Sequence, residues 1–367
     1  MGDSDVPGMG HGARMIVYWL LFAFPAAMAM VERPDARRIG FAWMFAVVAI
    51  ATLIGLRWQT GGDWFNYERM VERALWSPVP MSPLSDPGFT VLTGFAARSQ
   101  MGMLLITCFS GVVMALALAR FCFDQPRPWL CLSVAVPYLI VVMGMGYIRQ
   151  GIAVSFLLLA LASLRDGRVA RYSLWVLAGA AFHSTALILL PLAVMVTNRN
   201  IVVRVLLGLS VALLLGYSIA ATRGDLLTNY VDAEMASSGA AIRLIMTAVP
   251  GALLLLFRER LFVEGPERSV WMALSAAAIS ALVLLFVFPS STVVDRLALY
   301  LLPIQCFVYA HLPDAIATTD KQRRLIVMTI LALYALAFFV WLNFAVNVDY
   351  WLPYRFYPLE DGICLEC

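Results

Sequence analysis

Apolar residues in this chain gather into long runs separated by short polar stretches. The runs occupy 16–30, 39–56, 101–120, 128–147, 151–164, 172–183, 184–197, 201–220, 242–257, 269–288, 297–312 and 325–346. A helix needs about 20 apolar residues to cross a bilayer. The pattern therefore predicts an all-α polytopic membrane protein with about 10–12 transmembrane or half-length helices. The short runs 151–164, 172–183 and 184–197 predict broken or half-length helices, which survive at membrane depth only when buried in protein or lining a cavity. Gly179 and Pro191 inside two of them support interruption. The run from Ile16 to Met30 carries a small-residue Ala27-Met28-Ala29 site like that of a signal peptide. Because a second run follows at once and only Arg14 precedes the first, the reading is a retained first transmembrane helix.

Residues 1–13 are polar and glycine-rich and predict a disordered tail. The remainder, 14–367, reads as a single integral-membrane domain. Its longest extramembrane stretch, 57–100, is too short and too rich in Trp, Met and Pro for a globular domain. No internal repeat at a fixed period is visible, which weakens a transporter built from inverted repeats.

Composition sharpens this picture. The chain has 62% hydrophobic and 13% charged residues and a mean hydropathy of +0.83, which excludes soluble, disordered and fibrous classes. A net charge of +3 with dispersed basic residues gives no nucleic-acid patch. Most of the basic residues fall in loops at 32–38, 120–127, 165–171, 198–204, 258–268 and 313–324, which the positive-inside rule places in the cytoplasm. The loops 57–100, 147–150, 221–241 and 289–296, a hairpin tip at His183 and the tail from Asn347 then share the extracytoplasmic side, as do both termini. Cys108, Cys122, Cys131 and Cys306 have no metal-knuckle or disulfide spacing. Cys364 and Cys367 have pair spacing but read as a dangling tail. Three His without an HExxH string make a zinc site unexpected, so no metal residue is assigned.

A few polar residues stand out against the apolar background. From Trp64, apolar positions 64, 67, 71 and 75 recur at helical spacing, while Glu68, Arg69, Glu72 and Arg73 cover another face. This predicts an amphipathic helix lying at the membrane interface. Asp63 sits at its N-cap position, where it either caps or serves as a general base facing an extracytoplasmic cavity. Arg149 and Gln150 lie between two long apolar runs and must point into protein or water. At a helix start, Arg149 either binds an anion together with backbone N–H groups or snorkels to the interface. His183 is either a hydrogen-bonded core residue or a site member near Arg149. Asp295 and Arg296 either pair with each other or contribute to a site, and Tyr300 shares the face of Arg296. In the tail 350–356 an interfacial aromatic belt accounts for the Trp and Tyr residues and leaves Arg355 unexplained.

The strings GGDWFNY from Gly61, DPGF from Asp86, YIRQGIAVS from Tyr147, FHSTALILLP from Phe182, DRLALYLLP from Asp295 and LPYRF from Leu352 resemble the EpsG family of Wzy-like bacterial polysaccharide polymerases. The match covers most of the chain in order. Gly62-Asp63-Trp64 stands where the family is expected to have a Gly-Thr-Asp-Tyr-like string, and Asp86 where a Glu is expected.

The resemblance implies a GT-C-like membrane glycosyltransferase of the bacterial inner membrane with an extracytoplasmic, periplasm-facing active-site cavity. It would transfer the growing glycan from undecaprenyl diphosphate to a hydroxyl of an incoming lipid-linked oligosaccharide repeat unit, without metal or cofactor. Its partners would be membrane lipids, a chain-length regulator and a flippase, and no nucleic acid. In such a reaction Arg149 and Arg296, with Arg355 as a weaker third, would neutralise the departing diphosphate. Asp63 is the preferred base and His183 a hydrogen-bond donor or alternative base, while Tyr67, Gln150 and Tyr300 would orient sugars. The short helices would wall a groove for the polyprenyl tail. Competing classes are a lipid-linked oligosaccharide flippase, a related membrane glycan ligase, an acyltransferase, for which no acidic partner of His183 is visible, and a structural membrane protein.

Overall fold

The computed structural model describes residues 11–32, 40–76, 86–197, 202, 206, 239–261, 265, 267–287 and 291–360. Expectations for residues 1–10, most of the run 201–220, most of the loop 221–241, and Cys364 and Cys367 lie outside these residues. The described chain is helical with no strand; one isolated bridge joins Arg57 and Phe356.

The elements are α1 (His11–Val31), α2 (Phe41–Gly55), α3 (Trp64–Trp76), α4 (Pro87–Arg98), α5 (Gly102–Phe123), α6 (Pro128–Ala135), α7 (Ile148–Arg165), α8 (Val169–Phe182), α9 (Leu192–Thr197), α10 (Ala240–Leu256), α11 (Arg268–Val287), α12 (Ser291–Ala298), α13 (Pro303–Ile316) and α14 (Asp320–Phe344). A π-helical stretch, Val136–Gly144, continues α6, and a 3₁₀ turn, Ser184–Leu189, follows α8. Among the described residues, five helices are long and apolar enough to cross a membrane: α1, α5, α7, α11 and α14. The chain is an all-α polytopic membrane protein.

Two expectations about interruption are corrected. The run 151–164 is not a half-length helix, because α7 starts three residues earlier and continues for 18 residues without a break. Gly179 does not interrupt α8 either. A Cβ there would stand 3.0 Å from the Ala153 carbonyl oxygen, so its bare Cα lets α8 lie against α7. Gly111 does the same for α5 against α2, where a Cβ would meet the Ala51 oxygen at 2.6 Å. The run 184–197 is broken as expected: the 3₁₀ turn stops before Pro191, which lacks the N–H that a continuing helix needs.

Local chemistry explains the boundaries. Pro87, Pro128 and Pro303 occupy the first turns of α4, α6 and α13, where a missing N–H costs nothing. Thr319 and Gln322 form a reciprocal capping box on α14. The α3 helix buries Trp64, Tyr67, Val71 and Ala74 against α4 and α5. Leu75, expected on that face, is 56% exposed, and Ala74 takes the inward position.

Polar residues gather at the two ends of the helices. At one end Arg127 holds Asp314 through two bonds of 2.8 and 2.9 Å, Arg323 reaches the same carboxylate, and Glu32 accepts from the Trp129 N–H. These residues come from loops assigned to one common side. At the other end of α7 and α14 lies the second group, treated next.

Candidate active site

The tail aromatics do not all face outward: Tyr350 is exposed, but Trp351 turns inward. Trp351 is buried, its indole N–H donating to the Val141 carbonyl at 3.0 Å and its own carbonyl accepting from the Tyr18 hydroxyl at 2.7 Å. Tyr354 donates to the Leu53 carbonyl. The tail thus closes one wall of a cavity of about 650 Å³. Asp63, Tyr138, Tyr147, Arg243 and Arg296 give the cavity its polar lining, and Val340, Trp341 and Phe344 of α14 line it with apolar surface. The apolar part of this lining comes mainly from the 25-residue α14, with Val142 and Ile242 beside it.

Asp63 occupies the turn before α3, where its carbonyl accepts from the N–H groups of Asn66 and Tyr67. Burial raises the pKa of its carboxyl, and Arg296, the Asn66 side chain and Arg149 pull it back only in part. Such a carboxylate is more basic than an exposed one, which suits proton abstraction. Tyr67, one turn on, is buried, and burial raises its hydroxyl pKa despite Arg149 nearby.

Arg149 lies in the first turn of α7. Its Nη1 donates to Asp86 Oδ2 at 2.9 Å, and its guanidinium carbon stands 5.8 Å from the ring centroids of both Tyr67 and Phe89. Gln150 donates to the Arg296 carbonyl at 2.6 Å, and the Arg296 guanidinium lies over the Tyr147 ring at 5.5 Å. His183 ends α8, with Nδ1 3.6 Å from Asp86 Oδ2. Two residues on, the Thr185 hydroxyl meets the Tyr300 hydroxyl at 2.9 Å. Contacts thus link Asp63 to Tyr67, Tyr67 to Arg149, Arg149 to Asp86 and Asp86 to His183 and Ser184, while the adjoining Thr185 reaches Tyr300 and Gln150, next to Arg149, reaches Arg296.

One of the open alternatives fails here. Asp295 does not pair with Arg296, because Arg243 of α10 takes its carboxylate through two bonds of 2.9 and 2.6 Å. Of the expected site residues, Asp63 and Arg296 line the cavity, while Tyr67, Arg149, Gln150, His183, Tyr300 and Arg355 stand outside its lining; Arg355 donates from Nη1 to Gln59 Oε1 at 2.9 Å, and its carbonyl accepts from the Trp58 N–H.

Two members were missed in the sequence. Arg243 sits within the apolar run 242–257, the same signal that singled out Arg149. Asp86 belongs to a quoted motif but had no role. It adopts a left-handed backbone at φ 50°, ψ 66°, which costs a non-glycine residue about 1–2 kcal/mol. Burial raises the pKa of its carboxyl, but the His183 contact, the Ser184 N–H bond at 2.8 Å and the Arg149 charge outweigh this and hold it below the usual value. His183 therefore has the acidic partner that was not visible in the sequence. Among the described residues no group of three His, Cys, Asp or Glu side chains is placed to hold a metal ion.

The model of the EpsG family matches residues 40–356, a span that contains every residue of this cluster. The chain belongs to the EpsG family. This is a family of Wzy-like polysaccharide polymerases, so membership carries polysaccharide polymerase activity in its broad sense. No curated protein and no solved structure matches the chain.

Proposed function

We propose that this EpsG-family protein joins undecaprenyl-diphosphate-linked oligosaccharide repeat units, transferring the growing glycan to a hydroxyl of the incoming unit and releasing undecaprenyl diphosphate. The observation that carries the reading is the composition of one cavity. It sets the Arg296 guanidinium and the Asp63 carboxylate against the apolar side chains Val340, Trp341 and Phe344. An amphiphile with an anionic head and an isoprenoid tail matches both surfaces.

In this reading Arg296 takes up the negative charge that develops on the leaving diphosphate, and Arg149 adds positive potential from the neighbouring turn. Asp63 accepts the proton of the attacking hydroxyl at the oxocarbenium-like centre. His183 donates a hydrogen bond to diphosphate or acceptor, and Tyr67, Gln150 and Tyr300 orient sugars. Arg355 braces the cavity from outside through Gln59. The reaction proceeds without a metal ion, at the periplasmic face of the bacterial inner membrane.

A polymerisation assay with purified protein and lipid-linked repeat units tests these roles. Removing one preorganised donor typically costs ~3 kcal/mol, about a hundredfold in rate. Arg296→Ala and Arg149→Ala are expected to lose activity on that scale, and chelation is expected to leave wild-type activity intact. Near-wild-type chain formation by both variants contradicts the assignment of the charge-neutralising residues, and loss of activity on chelation contradicts the metal-free reaction.

A further inference from the structure

Asp86 is 5% exposed and stands at the start of α4, outside the cavity lining. Its carboxylate nevertheless meets two separate elements. Oδ1 accepts from the Ser184 N–H at 2.8 Å, while Oδ2 accepts from Arg149 Nη1 at 2.9 Å and faces His183 Nδ1 at 3.6 Å. Nδ1 of His183 is buried and has no hydrogen-bond partner. We propose that Asp86 is a positioning residue, whose single carboxylate orients the His183 imidazole and the Arg149 guanidinium for work on the substrate. The inference rests on the polymerase reading above, in which both groups act on substrate.

The two nitrogens of an imidazole lie on different edges of the ring. When Nδ1–H points to a carboxylate, Nε2 is the nitrogen left with a lone pair, available to a substrate hydroxyl or, once protonated, to a phosphate oxygen. A separation of 3.6 Å is beyond hydrogen-bond range, and contacts of this kind are often loose before substrate binds and tighten in the loaded enzyme. The backbone adds a second reason. A turn that needed only φ near 50° would be served by glycine, which has no Cβ to crowd the next carbonyl. What Asp supplies is the carboxylate, on one of the few side chains that tolerates this conformation. Arg149 gains from the same group: Asp86 fixes one end of a guanidinium already set beside Tyr67 and Phe89.

Asp86→Asn keeps the side-chain shape, the tolerance for the left-handed backbone and an oxygen for the Ser184 N–H, and removes the charge. With full-length protein in lipid nanodiscs, this variant is expected to lower kcat by about 10–100-fold, the usual range for a group that orients another. Its KM is expected to change by less than about 3-fold, and the variant is expected to keep a cooperative thermal transition, lowered by the lost ion pair with Arg149. Asp86→Glu is expected to recover part of the loss. In a His183→Ala background, Asp86→Asn is expected to cost clearly less than it does alone, the remainder being the share that acts through Arg149, because groups acting as a unit are not additive. Near-wild-type turnover by Asp86→Asn overturns the proposal, as do losses that multiply in the double variant or a Glu variant no better than the Asn one.

Nitrogen NMR of ¹⁵N-histidine-labelled protein reads the same arrangement without turnover. With the His183 signal assigned through His183→Ala, the Nδ1–H tautomer is expected in the wild type and not in Asp86→Asn. An Nε2–H tautomer in the wild type overturns the proposal. Wild-type protein that forms no polymer but shows the Nδ1–H tautomer sinks the polymerase reading and leaves the orientation of His183 standing.

Discussion

Asp63 joins burial to charge more directly than any other residue in the cavity. Burial raises its carboxyl pKa, and the guanidiniums of Arg296 and Arg149 offset the rise only in part. The base role proposed for it requires the ionised form, so turnover is expected to climb with pH along an acidic limb that lies above the ordinary value of 3.8. The sign for stability is the opposite one. A raised native pKa means the ionised form is disfavoured by folding, so this group costs stability as pH rises through that limb. Asp63→Asn is expected to reduce turnover by about 10²–10⁴-fold, the usual weight of a general base. A rate that stays flat as pH falls through the carboxylate range contradicts the assignment.

Glu32 shows the same physics at the opposite end of the helices, away from any chemistry. Burial pushes its pKa from 4.5 to about 7, against the Trp129 N–H bond and the Arg127 charge. The native state therefore keeps a proton that the unfolded chain releases, and stability falls as pH rises from about 4.5 to about 7. Glu32→Gln removes this loss. Thermal unfolding in detergent is expected to show the variant gaining on wild type between pH 5 and pH 8, and parallel profiles contradict it.

At the scale of elements, two kinds of close approach position the site. Where Gly111 of α5 meets α2, a Cβ would stand 2.6 Å from a backbone oxygen, which no side-chain rotation relieves. Gly111→Ala is expected to destabilise the protein by about 1–3 kcal/mol, the cost of overpacking an interior, seen as a lowered thermal transition. An unchanged transition means that α2 and α5 do not pack as described. The second approach joins loop to tail. Gly61, at φ +111°, would place a Cβ 2.1 Å from the Met145 carbonyl oxygen, and its N–H donates to the Tyr350 carbonyl at 2.8 Å. Tail, first loop and the start of α7 are thereby fixed together around Asp63.

Much of this was legible in the chain because a membrane makes polar residues expensive. Arg149, Gln150, Asp63, His183 and Arg296 stood out against apolar neighbours, and the structure brings them into one connected group. What escaped was partnership. A lone charge in a run announces that it needs a counter-charge, but not which residue supplies it. For Asp295 the visible candidate was its sequence neighbour Arg296, whereas folding delivers Arg243 from 52 residues away. Asp86 carried no role in the sequence because the contacts that give it meaning, to Arg149 and Ser184, lie 63 and 98 residues along the chain. The tail misled for a similar reason: Trp and Tyr near a membrane boundary fit an interfacial belt equally well, and only tertiary contacts show Trp351 turned inward.

At the scale of the whole molecule, an EpsG-family chain folds its helices around a cavity that is charged on one side and apolar on another. In the proposed reaction lipid-diphosphate-linked glycans are joined there. The most direct measurement reconstitutes the wild-type protein with a single kind of undecaprenyl-diphosphate-linked repeat unit and counts both products. The expected result is a ladder of glycan lengths with one undecaprenyl diphosphate released for each new linkage. Movement of repeat units across the bilayer with no ladder and no released diphosphate would contradict it.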